Sequence, residues 1–271
     1  MNDRIGEYRT TTFPSSRIST FDVVAVGMEK HHIKAFIEMD VTYARKRINE
    51  LKDQDASISF TSWLIKCISE AAMEFPQIHG VKKGRRKLVT FKDVDISILI
   101  EREVDGQKVP LPYVIRRTNE KSIEQIHEEI KKGKTASIKD QGDNVLGERK
   151  NSGMMKLYYR LPGQLRRSSL RFILRNPFML KKTMGTIVVT SVGMAGQIKG
   201  WVIPVGIHPL CIAVGSIVKR PDVVGEKVEI REHLFMTVLA DHDVIDGAPA
   251  VRALSKLTQM IESGHGLPHQ G

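Results

Sequence analysis

The run Phe235–Val251, FMTVLADHDVIDGAPAV, constrains this chain more than any other segment. It is β-rich up to Ala240 and then breaks into the polar stretch that holds His242, Asp246 and Gly247. A helical pattern, PAVRALSKLTQMIES, follows at once with Pro249 in its first turn. A strand, a sharp turn and a helix start must all fit within these residues, so the fold has to contain a sheet whose end carries His242. Such a junction is where a rigid scaffold presents a side chain to a cleft.

The rest of the chain mixes the two periodicities. Residues 1–20 are polar and read as extended, and FDVVAVGMEKHHIKAFIEMDVT alternates loosely enough to predict strands. VTYARKRINELKDQ places Val41, Ala44, Ile48 and Leu51 at helical spacing. SFTSWLIKCISEAAMEF predicts a second helix, with Ser59 or Thr61 as its cap and Pro76 just beyond its end. After a GRRK turn, KLVTFKD and VDISILIERE read as strands and KVPLPYVIR as a strand broken by prolines. KSIEQIHEEIKKGK predicts an amphipathic helix capped by Ser122, with Ile123, Ile126 and Ile130 on one face. Residues 134–153 read as a loop. GTIVVTSVG, WVIPVG, LCIAVGSIV, EKVEIRE and HLFMTVLADHDV predict further strands, and the tail GHGLPHQG is expected to fray. Helices interleaved with strands imply an α/β or α+β fold around a mixed sheet, with residues 1–271 forming one domain.

Composition narrows the partners. The formal net charge is +11, which favours anionic ligands or surfaces. No zinc-finger spacing or RNA-binding sheet motif accompanies it, so nucleic acid is the partner expected least. Much of the charge is local: residues 154–182 hold Lys156, Arg160, Arg166, Arg167, Arg171, Arg175, Lys181 and Lys182 and no acidic residue. Leu165, Phe172 and Ile173 could share a helix face there. A solvated basic helical pair packed on the domain explains the segment as well as a contact with lipid head groups, an acidic partner or phosphates does. Cys67 and Cys211 stand in apolar runs and read as buried small hydrophobes in a reducing compartment. The first residues show no apolar signal core and no run is long enough to span a bilayer, so a cytoplasmic chain, at most peripheral to a membrane, is expected.

His242 carries the chemistry this pattern permits. A thiol is mostly protonated near neutral pH, while its thiolate is the nucleophile. A neutral imidazole can take that proton, and a carboxylate nearby can hold the loop by charge-assisted hydrogen bonds. By itself a histidine four residues before an aspartate is equally a turn or capping residue.

HDVIDGAPAVRAL resembles the His-x-x-x-Asp-Gly signature of the chloramphenicol acetyltransferases and of the dihydrolipoyl acyltransferase catalytic domains of 2-oxo acid dehydrogenase complexes. GTIVVTSVGMAGQIKGWVIPVGIHPLCIAVGSI resembles the same family's strand, Gly turn, Pro loop and strand, and IEMDVT, EFPQIHG, VDISILIERE, VPLPYVIR and KSIEQIHEEI follow its order from about residue 10 to 263. The resemblance implies a two-layer sandwich with helices on one face of a mixed sheet, assembled as a homotrimer with the site between subunits. It implies acyl transfer from a thioester of coenzyme A or of a lipoyl group supplied by another protein, and no metal. His242 would deprotonate the thiol, and a hydroxyl from Thr190, or Ser191 beside it, would donate to the oxyanion. The family's residue there is serine; threonine keeps the hydroxyl and adds a stiffening methyl. Asp246 would pair with Arg17, and Gly247 would support the turn. Ser191, Gly193, Trp201 and His32 would line the substrate or coenzyme A channel, along with Pro204 and His208.

Two departures stand out. Asp243 occupies the position where the family often has arginine, and a basic insertion at about 150–184 replaces a short join. With no lipoyl domain visible, the chain reads as a stand-alone catalytic module. A non-catalytic trimeric scaffold of the same family, or a membrane- or nucleic-acid-binding module built on the insertion, are the alternative functions.

Overall fold

The computed structural model describes residues 6–13, 16–104, 107–135, 157–191, 193, 196 and 198–268. Helix α1 (Ser16–Gly27) leads into strand β1 (His32–Asp40), and α2 (Thr42–Asp53) and α3 (Phe60–Glu74) follow. A short hairpin, β2 (Val81–Lys83) and β3 (Lys87–Val89), precedes the pair β4 (Ile96–Val104) and β5 (Gln107–Ile115). Helices α4 (Ile123–Thr135), α5 (Gly163–Arg175) and α6 (Pro177–Met184) come next. The chain ends with β6 (Ile187–Ser191), β7 (Leu210–Val224), β8 (Lys227–Asp241) and α7 (Gly247–Glu262).

Six strands form one mixed sheet in the order β1-β8-β7-β6-β4-β5. β4, β6 and β7 run parallel to one another, and the remaining pairings are antiparallel. One face of the sheet is covered by α2, α3, α4 and α7. Their inward residues, among them Ile48, Trp63, Ile126 and Leu257, meet Ile96, Ile187, Ile212, Met236 and Val238 of the strands in one buried cluster. Burial of aliphatic area of this kind contributes about 25 cal/mol per Å² and is the main stabilising term. The caps match the sequence. Ser59 and Ser62 exchange side-chain and backbone hydrogen bonds at the start of α3. Ser122 and Gln125 do the same before α4.

A second, smaller cluster joins Val26 of α1, Leu170 and Leu174 of α5, Leu180 of α6, Val81 of β2 and Ile207. It attaches the basic segment to the main body. Arg166 bonds the buried carboxylate of Asp22 at 2.6 Å, Arg171 grips Glu29, and Lys181 reaches Asp93 and Asp95. Three of the segment's eight cations are therefore paired with carboxylates elsewhere in the chain.

Three local expectations change. Residues 16–27 are helical rather than extended, because Asp22 and Val26, four apart, are both buried toward α5, Asp22 on Arg166 and Val26 in the second cluster. WVIPVG forms no strand; it is a loop in which Trp201 packs on Phe235 with ring centroids 4.7 Å apart. In α5 Leu165 and Phe172 do share a helix face, and it is exposed, while Leu170 and Leu174 are buried on the other side. The tail does not fray as far as Pro268: the indole of Trp63 donates to the His265 carbonyl, His265 bonds Glu70, and Leu267 is buried. The loop expected at 134–153 lies, from residue 136 on, outside the described residues.

Candidate active site

His242 sits in the turn that follows β8, and every backbone group around it is tied down. Its N–H donates to the His31 carbonyl at 2.9 Å. The N–H of Asp241 donates to Pro209, and the Asp241 carbonyl accepts from Val244 and Ile245. The Asp241 carboxylate is buried, bonds Lys30 Nζ at 2.7 Å, and accepts from the Asp243 N–H. Ile245 then plugs into the core. A turn held at five points and weighted by a buried ion pair fixes its backbone, yet the His242 side chain remains 53% exposed. Asp246 lies 3.9 Å from His242 Nδ1 and is itself 88% exposed. That separation is too long for a hydrogen bond, so the carboxylate acts on the ring only through a screened field.

Asp243 points the other way. Its carboxylate accepts from His31 Nδ1 at 3.1 Å and meets Lys82 Nζ at 3.4 Å. The bond from His31, helped by Lys82, holds its carboxyl below the ordinary carboxylate range. The anion beside His242 is thus answered by Lys82 of β2 and by His31, just before β1. Sequence reading missed Lys30, Asp241 and Lys82. Lys30 and Asp241 are 211 residues apart, and only the pairing of β1 with β8 brings them together.

Thr190 lies on β6, half-buried, in register with Ala213 of β7 and through it with Thr237 of β8. Ile187 and Val189 point into the core, so Thr190 projects from the face opposite the helix layer, and Ser191 lies on the helix side. Asp241 stands four residues beyond Thr237. Four strand steps and two strand spacings put Thr190 about 16 Å from the turn that carries His242. The two side chains do not meet within one chain.

The other expected residues are distributed around these two points. Gly193 packs on the backbone of Gly215, where an added Cβ would fall 2.2 Å from the Gly215 carbonyl oxygen, so no larger residue fits. Beside it Gly196, Ile198, Gly200 and Ser216 line a narrow crevice. Trp201 covers the outer face of β8, and its N–H donates to the Ile37 carbonyl. His32 lies opposite Asp241 in the β1–β8 pairing, and its Nε2–H donates to the His208 carbonyl at 2.9 Å, so that ring nitrogen is already engaged. Burial holds the His32 pKa below its usual value. Arg17 lies on α1 over the rings of Phe13 and Phe21, and the expected pair with Asp246 is not formed among the described residues. Gly247 opens α7 with free space around it. No group of three His, Cys, Asp or Glu side chains among the described residues could hold a metal ion.

Two buried histidines near the site give a measurable pH signature. His79 and His208 are pushed down to about 4, mainly by burial. Both are neutral in the fold, whereas unfolded imidazoles titrate near pH 6.5. The unfolded chain then binds more protons below that pH, so stability rises with pH in this window. The thermal midpoint is expected to hold above about pH 6.5 and to fall as the pH drops toward 4. A midpoint flat across that range in a melting series would contradict the buried neutral rings.

Comparison with known proteins agrees with this architecture. The family model of the 2-oxoacid dehydrogenases acyltransferase (catalytic domain) matches residues 23–141 and 181–267, leaving 142–180 unmatched. The lipoamide acyltransferase component of the branched-chain alpha-keto acid dehydrogenase complex of Bacillus subtilis is 25% identical over 93% of this chain and 55% of its own length. The chain spans about half the length of the curated relatives it matches. The cubic core of the pyruvate dehydrogenase multienzyme complex superposes with a TM-score of 0.67 at 16% identity, covering 96% of this chain and 93% of that one. A chloramphenicol acetyltransferase superposes at 0.51 with 11% identity over 95% and 96%. With the family pattern running through the strands that build the His242 turn, the chain belongs to the 2-oxoacid dehydrogenase acyltransferase catalytic-domain family.

Proposed function

We propose that the chain is an acyltransferase moving an acyl group between a thioester, acyl-CoA or acyl-lipoyl, and a thiol acceptor. His242 is the general base. The observation that carries this reading is the fixed turn with a free imidazole: backbone and neighbours are locked while the ring stays accessible. The thiol gives its proton to the imidazole, and its sulfur bonds to the carbonyl carbon. The carbonyl π pair moves to oxygen, where the Thr190 hydroxyl donates to it. Collapse of the tetrahedral species breaks the old C–S bond, and the departing thiolate takes the proton back from the imidazolium.

The distance from Thr190 to the His242 turn supports a site shared between copies, with His242 of one meeting Thr190 of the next in a homotrimer. The hairpin that ends β7 and begins β8 supports such an assembly. Pro221, Val223, Val228 and Ile230 lie on one face of it, and all are exposed. Domain organisation follows the same reading: residues 1–271 act as one catalytic domain, and the insertion at about 150–184 has a separate partner of negative charge. Cys67 and Cys211 are free and buried, which suits a reducing cytoplasm.

Mixed assemblies test this. His242→Ala and Thr190→Val are each expected to lose activity, the latter by about 100- to 1,000-fold. Co-expressed together, they should recover about a quarter of wild-type turnover, since one neighbour pair in four then carries both intact groups. A co-assembled mixture as inactive as its parents would defeat the shared site. A wild type inert toward a panel of acyl-CoA and acyl-lipoyl thioesters would point to the scaffold instead.

A further inference from the structure

We propose that the outer face of α5, with the cations around it, docks on an anionic lipid surface. The inference is independent of the acyl-transfer reading and begins with how the basic segment is divided. Arg166 and Lys181 turn inward to Asp22, Asp93 and Asp95, and Arg171 pairs with Glu29 at the surface. Arg160 and Arg175 stay exposed and make no ion pair among the described residues. Nothing in 154–182 carries negative charge.

The outward stripe of α5 is apolar where a solvated helix would be polar. Leu165 and Phe172, seven residues apart and so on one face, are 56% and 65% exposed, with Arg175 three residues further along that face. Leu157, in the helical turn just before α5, and Phe178, at the start of α6, are exposed as well. The inner stripe, Leu170 and Leu174, is fully used in the second cluster. The helix therefore needs no further partner to stay folded, and its outer stripe is surplus to packing. Large apolar side chains flanked by arginines are the composition that seats a helix at the boundary between head groups and acyl chains.

Charge selects the occupant. A second copy meeting this face through a two-fold axis would set Arg160 and Arg175 against the same cations, which repel. Anionic head groups meet both needs at once: phosphates for the guanidinium groups and a hydrocarbon boundary for Leu165 and Phe172. No helix among the described residues is long and apolar enough to cross a membrane, so contact of this kind would be peripheral.

Vesicle co-sedimentation of the full chain tests the proposal. Binding to vesicles of phosphatidylcholine with about one-third phosphatidylglycerol is expected at low salt, with little binding to phosphatidylcholine alone and release as salt rises. Arg160→Glu with Arg175→Glu should cut partitioning at least about tenfold. Leu165→Ser with Phe172→Ser should also lower it, with melting temperature and acyl transfer to a soluble thiol unchanged. No binding at low salt, equal binding to both vesicle types, or wild-type binding by either pair of substitutions would overturn it. So would sedimentation velocity showing that Leu165→Ser with Phe172→Ser dissolves an oligomer, which would assign the stripe to a second copy.

Discussion

His242→Ala is expected to lower acyl transfer by about 100- to 10,000-fold with the fold intact. The side chain is half exposed and its ring makes no hydrogen bond among the described residues, so its removal leaves no cavity and no buried orphan. The turn is held instead by backbone groups and by the Lys30–Asp241 pair, none of which the substitution touches. The unfolding free energy should stay within about 0.5 kcal/mol of wild type. The readout is thioester turnover followed by free-thiol release across pH. Loss of rate with an unchanged melting curve is the expected pair of results. A variant that keeps wild-type turnover would remove the imidazole from the chemistry altogether.

Trp63→Ala should produce the largest loss of stability, about 3–5 kcal/mol. The indole is fully buried in α3, packs against Phe60 with centroids 5.4 Å apart, and donates its N–H to the His265 carbonyl at 2.8 Å. Truncation would open a cavity between α3 and the last turn of the chain, and it would leave that carbonyl without its donor. Urea denaturation followed by circular dichroism measures the change. The segment after α7 should also become sensitive to protease, because Leu267 and the His265–Glu70 bond hold it on the same surface. A loss below about 1 kcal/mol would mean that the tail does not pack on Trp63 as described.

What was legible in the sequence follows from what is local. Ser59, Ser122 and the isoleucines of α4 announce their helices because caps and periodicity act within a few residues. His242, Asp246 and Gly247 are marked by a junction contained in one short run. The misread segments are those whose structure is decided elsewhere. Residues 21–27 look β-rich, yet they are helical because Asp22 meets Arg166, 144 residues away. WVIPVG looks like a strand, but its residues lie over the outer face of a sheet that already has its neighbours. The outward position of Leu165 and Phe172 depends on which stripe α1 and β2 cover, and no period within α5 decides that. The separation of Thr190 from the His242 turn comes from strand order, which the sequence carries only in the pairing preferences of distant segments.

The strand order has a consequence for how the molecule is made. β8, the last of the described strands to leave a ribosome, lies between β1, the first, and β7. Until residues 227–241 emerge, β1 has no neighbour in the sheet, and both its edges are open to any other unpaired strand. The histidine turn is also unformed at that stage, because its carbonyl and lysine partners wait on the early part of the chain. Nascent chains should therefore lean on chaperones until late in synthesis, and copies made side by side run the risk of lending one another their final hairpin.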